Sequence, residues 1–279
     1  MLGALVIVFR EVFEAGLVIG IVLAATRLVA GSRWWIAGGV LAGVAGSIIL
    51  AAFAGAVSEW ADGFGQELFN AAVLAIAVCM LVWHNLWMAR HGRELAADLI
   101  ATGEAVRQGS RPQAALAVVV GVAVLREGAE IALFMYGIVL AGGDSWTSLA
   151  LGSVLGLALG GVVSGLTYFG LVKIPARYLF AVTSLLITFL AASMASQCAA
   201  LLQASGKVTA LSSTAWDTSW LLDEGSIAGR LLHTMIGYSQ QPTVLQVVVY
   251  ALTLIIIFAL TRAFSPRHGQ PQRAAHASR

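Results

Sequence analysis

Charged residues are scarce in this 279-residue chain, where Asp, Glu, Lys and Arg together make up only 11% of the sequence. Soluble domains carry roughly a quarter of such residues. Hydrophobic residues reach 59%, and the mean hydropathy is +0.88. This composition excludes an ordinary soluble domain and predicts an integral membrane protein in a lipid bilayer. The small net charge of +2 gives no sign of a nucleic-acid partner.

Cysteine is also scarce, since only Cys79 and Cys198 occur and both lie in apolar runs, so a disulfide framework is not expected. The sequence has no HExxH motif and no Walker motif, which argues against an intramembrane protease and against ATP-driven transport by this chain. Only His84 lies in an apolar run, so a haem held by paired axial histidines is not expected. The N-terminus lacks the basic region of a signal peptide, and the first apolar run is therefore expected to remain as a span.

Seven apolar runs are long enough to cross a bilayer, which takes about 20 residues in a helix. Because these runs are unbroken rather than alternating, they predict helices and not a β-barrel. The predicted spans are 2–26, 34–57, 67–88, 114–140, 147–171, 178–203 and 243–263. They form one transmembrane domain over 1–264, with an inner loop at 89–113 and an outer loop at 204–242. A basic, disordered cytoplasmic tail is expected at 265–279.

The basic residues between the spans predict the orientation. With the N-terminus outside, twelve of the sixteen Lys and Arg residues fall on the inner side. Only Lys207 and Arg230 fall on the outer side, and the other two lie within spans. This positive-inside bias predicts an outer N-terminus and an inner C-terminus, and a bacterial plasma membrane fits best. In the outer loop, the segment after Ser226 is expected to form a short amphipathic helix at the membrane surface.

A charged motif occurs in the middle of the first span and again in the fourth. Residues 10–14 (REVFE) and 126–130 (REGAE) are both R-E-x-x-E. The second and fifth spans also correspond, because each has a small residue at every fourth position, which lets helices approach closely. These positions are Gly39, Gly43 and Ser47 in one span and Gly152, Gly156 and Gly160 in the other. We therefore predict two three-helix repeats, about 1–90 and 114–204, plus a seventh helix; the odd number makes the repeats inverted, as in many transporters.

The spacing of the motif indicates its chemistry. On a helix, the two acids lie three residues apart on one face, and the arginine lies four residues before the second acid. The combined set is Glu11, Glu14, Glu127 and Glu130 with Arg10 and Arg126. Ionisable residues in mid-membrane are functional candidates by default, and the surplus of acids over bases indicates a cation that visits the site. Oxygen donors suit hard ions such as magnesium, manganese, calcium or iron.

Two R-E-x-x-E motifs in the first and fourth of seven helices resemble the oxidase-dependent high-affinity iron permease family of bacteria and fungi. The resemblance covers essentially the whole chain, including the outer segments WDTSWL and LLHTMIGY. It implies a permease rather than an enzyme, which imports ferrous or ferric iron as substrate and binds no permanent cofactor. It further implies that the four glutamates form the metal site and that the two arginines balance charge. A periplasmic iron-binding protein and a haem peroxidase or other oxidase are the implied partners.

Other interpretations remain beside this one. The same scaffold could transport manganese or lead, or the chain could be a proton-conducting membrane redox subunit. Three acids of the outer loop are candidates for collecting cations at the entrance: Asp217, Asp223 and Glu224. His84 and Asn85 are interpreted as interfacial anchors beside neighbouring tryptophans, with a role in ion exit as the alternative. The resemblance also implies an acid early in the third helix, where this sequence has Asn70.

Overall fold

The computed structural model describes residues 1–61, 66–140, 145–170 and 176–264, and its described part consists of α-helices joined by loops. The helices are α1 (Leu2–Ala25), α2 (Ser32–Ala61), α3 (Gln66–Arg107), α4 (Ala114–Leu140), α5 (Trp146–Tyr168), α6 (Ala176–Ala204), α7 (Ile227–Ile236) and α8 (Val244–Phe264). Within those ranges the one β-type pairing is an isolated bridge between Thr214 and Thr243. The all-α prediction is therefore confirmed for the described residues. The predicted tail at 265–279 lies outside them.

Five helices in the described part are long and apolar enough to cross a membrane. These segments are Ser32–Phe53, Glu67–Met88, Trp146–Tyr168, Ala181–Ala204 and Val244–Ala263. Helices α1 and α4 are just as long, at 24 and 27 residues, but each has three charged residues near its middle. Such charges are tolerated in a span only where they face the protein interior. The count of seven spans and the orientation of the termini stay predictions.

Helix α3 reaches into one predicted loop, and helix α7 lies within the other. Helix α3 continues from the third span through most of the predicted inner loop, so that it has 42 residues and ends at Arg107. In the predicted outer loop, α7 forms where the amphipathic helix was expected, and the Ser226 hydroxyl oxygen accepts a hydrogen bond of 2.9 Å from the Gly229 amide. Gly237 ends α7 with a φ of 72°, a left-handed conformation that glycine adopts without strain.

The rows of small residues in α2 provide its contact with α4. A side-chain carbon added at Gly39 would lie 2.5 Å from the carbonyl oxygen of Ala117, and one added at Gly43 would lie 2.7 Å from that of Gly121. The hydroxyl of Ser47 donates a hydrogen bond of 2.9 Å to the Gly43 carbonyl within its own helix. The backbones of α2 and α4 can approach this closely only because these positions carry no larger side chain.

The corresponding row in α5 packs in the same way against α1. Added carbons at Gly156 and Gly160 would lie 2.7 Å and 2.9 Å from the carbonyl oxygens of Leu5 and Phe9. The second helix of each predicted repeat therefore packs on the first helix of the other repeat. Because α1 and α4 also pack on each other, the two charged motifs lie at the interface between the repeats.

Two apolar clusters cover the charged layer from opposite sides. The first contains Ile7, which precedes the α1 motif, and Phe134, which follows the α4 motif. The second contains Val22 and Leu116, which lie on the other side of the same motifs. All four side chains are at most 1% exposed. The four glutamates and Arg10 are therefore buried between two apolar layers.

We expect Gly156→Ala to destabilise the protein by about 1–3 kcal/mol, because its methyl group would overlap the backbone of α1. Gly161→Ala is the matched control, since a carbon added there meets nothing within 4 Å. The midpoint of thermal unfolding in detergent should fall for the first variant and stay unchanged or rise for the second. Equal midpoints for the two variants would contradict the close packing of α5 on α1.

Candidate metal site

The four glutamates of the two motifs are buried together in the middle of α1 and α4. Glu11 and Glu14 have exposed fractions of 0% and 3%, and Glu127 and Glu130 have exposed fractions of 7% and 5%. The helical spacing explains this placement, since each acid pair lies on one face and the two faces meet where α1 contacts α4. The structure therefore brings the two motifs together, as their repetition indicated.

Arg10 is enclosed by the acids of its own motif. It is 1% exposed, its Nε lies 2.9 Å from Oε1 of Glu14, and its Nη1 lies 3.5 Å from Oε1 of Glu11. A guanidinium buried to this degree is stable only with carboxylates around it. Arg10 therefore holds the α1 motif together as a compact ion-paired unit.

Arg126 has a more open environment than Arg10. Its Nε lies 3.0 Å from Oε1 of Glu130, but 36% of its side chain is exposed, and its guanidinium stacks 4.7 Å from the centre of the Trp87 ring. It borders a cavity of about 880 Å³, which is lined mainly by apolar side chains of α2, α3 and α4. The cavity is open to the surface and leaves Arg126 partly exposed, whereas Arg10 is enclosed.

His84 of α3 lies between the two motifs and joins them. Its Nδ1 is 2.6 Å from Oε2 of Glu130, and its Nε2 is 3.2 Å from Oε2 of Glu14. Its Nδ1 also lies 3.0 Å from Nη2 of Arg126. The interpretation of His84 as an interfacial anchor is wrong, since the side chain is 2% exposed and contacts charged groups of both motifs.

A row of apolar residues along one face of α3 could have indicated from the sequence that His84 is buried. Leu74, Ala77 and Leu81 are fully buried, and His84 continues their spacing of three and four residues. Trp83 lies on the opposite face and is 71% exposed, as expected of a lipid-facing residue. Asn85 accepts a hydrogen bond of 2.7 Å from the Ser184 hydroxyl and so connects α3 with α6.

Four buried side chains could hold a metal ion together: Glu11, His84, Glu127 and Glu130. One ligand atom from each lies within 4.8 Å of the others, and no second group of this kind occurs among the described residues. Glu14 is outside this group, although its Oε2 lies 3.2 Å from Nε2 of His84. The third helix therefore contributes a nitrogen donor, whereas the sequence alone suggested only oxygen donors.

Glu11 has the least engaged carboxylate of the cluster, because neither of its oxygens accepts a hydrogen bond from the described residues. The other three glutamates each have one such oxygen, namely Oε1 of Glu14, Oε2 of Glu127 and Oε2 of Glu130. Burying a carboxylate oxygen without a hydrogen-bond donor raises the free energy of the folded protein, and a bound cation would offset this cost. These oxygens are therefore the ones available to a cation.

The three candidate entrance acids contact their own loop. Asp217 accepts hydrogen bonds of 2.6 Å and 2.9 Å from the hydroxyl and amide of Ser219, and these bonds hold the pKa of Asp217 below its ordinary value. Asp223 accepts a backbone hydrogen bond of 2.9 Å, and Oε1 of Glu224 lies 3.1 Å from Nδ1 of His233. All three acids thus help to shape the outer loop, and their part in collecting cations stays a prediction.

Comparison with known proteins gives one consistent result. The profile of the Iron permease FTR1 family matches residues 1–265. The chain is 31% identical to the ferrous iron permease EfeU of Shigella sonnei (strain Ss046) over 262 residues, which cover 91% of this chain and 94% of that protein. It is 30% identical to the ferrous iron permease EfeU of Yersinia pestis over 254 residues, which cover 89% of each. No solved structure matches the chain.

Proposed function

The chain belongs to the iron permease FTR1 family, and from this premise we propose that it imports ferrous iron through the buried cluster between α1, α3 and α4. It is a multi-pass membrane transporter and not an enzyme. The observation that carries the finer proposal is the set of three carboxylates and one imidazole within 4.8 Å of one another. Oxygen and nitrogen donors together suit first-row transition ions.

The charge of the cluster favours a divalent ion. Four carboxylates and two guanidiniums sum to a formal charge of −2 when His84 is neutral. A ferrous ion would bring this sum to zero, whereas a ferric ion would leave one uncompensated positive charge in a buried layer. Uncompensated buried charge is costly in a membrane. The printed names of the relatives, which describe ferrous iron permeases, agree with this choice.

The two apolar clusters suggest how the ion crosses. In the proposed orientation, with seven spans and the N-terminus outside, the cluster with Ile7 and Phe134 covers the outer side of the site. The cluster with Val22 and Leu116 covers the inner side. Transport then requires that one layer opens at a time, while the ion rests on the glutamates between the two repeats. Arg126, which borders the cavity, is the arginine with space to withdraw as the ion enters.

The surroundings of the protein form part of the proposal. A bacterial plasma membrane is the proposed location, with the acids of the outer loop facing the side from which iron arrives. A periplasmic iron-binding protein and a haem peroxidase or other oxidase are the proposed partners. They would supply iron at the outer loop, where α7 and the residues around it form the exposed surface.

Manganese is the second candidate substrate, because Mn²⁺ has the same charge and also accepts carboxylate ligands. The test uses purified protein in liposomes and radioactive iron, supplied either with ascorbate as ferrous iron or without it as ferric citrate. We expect uptake of ferrous iron that exceeds uptake of ferric iron at least about 10-fold, and we expect Mn²⁺ to inhibit it only when Mn²⁺ is present in at least about 10-fold excess. Glu14→Gln and Glu130→Gln should each reduce uptake, and Glu104→Gln, an exposed acid at the inner end of α3, is the matched control. Full activity in both motif variants would contradict the proposed site.

A further inference from the structure

His84 has contacts that charge balance does not require. The two acids that its ring nitrogens face each have an arginine already, at 2.9 Å for Glu14 and 3.0 Å for Glu130. Each of the four glutamates has at least one buried oxygen that accepts no hydrogen bond from the described residues, and a ring nitrogen of His84 lies within 4.8 Å of a ligand oxygen of Glu11, Glu127 and Glu130. The imidazole thus lies among carboxylate oxygens that lack donors, in a group of four side chains whose ligand atoms a metal ion could join.

We propose that His84 is the ligand that sets the ion selectivity of this permease, and that it favours ferrous iron over manganese, magnesium and calcium. This inference rests on the proposed function, because it concerns the same site. A site of carboxylates alone suits magnesium, calcium and manganese well, whereas imidazole suits iron, nickel, copper and zinc. A site with one nitrogen ligand and three carboxylate ligands should therefore bind Fe²⁺ more tightly, relative to Mn²⁺, than a site of carboxylates alone.

The position of His84 allows it to act as a ligand without a large rearrangement. The ring is 2% exposed, and it is held at Nδ1 and Nε2 by carboxylates 2.6 Å and 3.2 Å away. A nitrogen binds a metal ion only without its proton, so the ion takes the place of the proton on one nitrogen. The other nitrogen keeps its carboxylate contact and continues to orient the ring, as in many metal sites where a carboxylate orients the ligating histidine.

The first test compares the transport of two ions by His84→Gln and by wild-type protein in liposomes. Glutamine has similar reach and retains hydrogen bonding, but its amide oxygen is a hard donor. We expect the ratio of kcat/KM for Fe²⁺ to that for Mn²⁺ to fall about 10-fold or more in His84→Gln, mainly through a higher KM for Fe²⁺. His91→Gln is the matched control, since His91 lies two turns further along α3 and contacts the Trp87 carbonyl.

A second measurement reads the ligand directly and does not depend on transport. Mn²⁺ is added to the detergent-solubilised protein, and electron spin-echo envelope modulation is recorded for the bound ion. We expect the nitrogen modulation of a coordinated imidazole in wild type and in His91→Gln, and its absence in His84→Gln. If wild-type protein binds Mn²⁺ without nitrogen modulation, His84 is not a ligand and the inference is wrong, even if His84→Gln fails to fold.

These outcomes separate this inference from the proposed function. If wild-type protein transports ferrous iron and His84→Gln loses Fe²⁺ and Mn²⁺ transport in parallel, His84 only holds the two motifs together and the selectivity proposal is wrong. If Glu127→Gln transports iron normally, the proposed site itself fails, whatever the behaviour of His84. A ratio that falls in His84→Gln while Glu127→Gln loses both ions supports both proposals.

Discussion

Glu11→Gln and Glu127→Gln are expected to abolish iron uptake and yet leave the folded protein as stable as wild type, or more stable. Both carboxylates are buried and have oxygens that accept no hydrogen bond from the described residues. The one ion-pair contact of Glu11 is long, at 3.5 Å to Nη1 of Arg10, so neutralising either acid removes a cost from the folded state without breaking a short ion pair. The same change removes a ligand, and we expect uptake to fall at least about 100-fold. Initial rates of ferrous iron uptake and midpoints of thermal unfolding, measured on the same preparations, test both parts.

The second acids of the motifs supply the contrast for this experiment. Glu14→Gln and Glu130→Gln remove the carboxylates that pair with Arg10 and Arg126, so these variants should lose stability as well as uptake. A site in which all four glutamates are equivalent would show the same loss of stability at all four positions. That result would argue against the distinction between the loosely held carboxylates of Glu11 and Glu127 and the ion-paired carboxylates of Glu14 and Glu130. Normal uptake by the Glu11 and Glu127 variants would reduce the motifs to a structural network.

Much of this site could be predicted because the sequence repeats it. The R-E-x-x-E motif marks the midpoints of α1 and α4, and the glycine and serine rows mark the faces of α2 and α5 that pack on them. Both features depend on local spacing along one helix, which the sequence states directly. The bounds of α1 and α4 also follow closely from the apolar runs, since apolar length determines a span.

The contribution of α3 could not be predicted in the same way. His84 belongs to no motif, and beside Trp83 and Trp87 it resembles an anchor at the membrane edge. What places it in the site is the packing of α3 against both α1 and α4, which no spacing within α3 records. The buried stripe from Leu74 to His84 was available as a signal, but a histidine on a buried face does not by itself indicate which charges it meets.

The two arginines show why a repeated motif need not give two equivalent half-sites. Both lie four residues before a paired glutamate, at 2.9 Å in one motif and 3.0 Å in the other. Yet Arg10 is sealed among acids, whereas Arg126 borders the cavity beside Trp87. The single His84 also breaks the symmetry, since the two acids it bridges come from different motifs. The first motif is therefore the enclosed half of the site and the second the more exposed half.

Arg10→Met is accordingly expected to destabilise the protein by about 3–5 kcal/mol, because it leaves Glu14 and Glu11 without their buried cation. Arg126→Met should cost less than half as much, since 36% of that side chain is already exposed. Thermal unfolding in detergent and the yield of monodisperse protein measure both effects, with Arg27→Met, an exposed position just after α1, as the control.

A double variant decides whether lost charge balance causes the effect of Arg10→Met. Adding Glu14→Gln to Arg10→Met removes the acid that the arginine neutralises, and it keeps an oxygen that can accept a hydrogen bond from His84. We expect the double variant to recover most of the lost stability and none of the iron uptake. If it is no more stable than Arg10→Met alone, the lost stability comes from the packing of the long arginine side chain. The α1 motif would then be a packing element, and its rigidity would not depend on the ion pair.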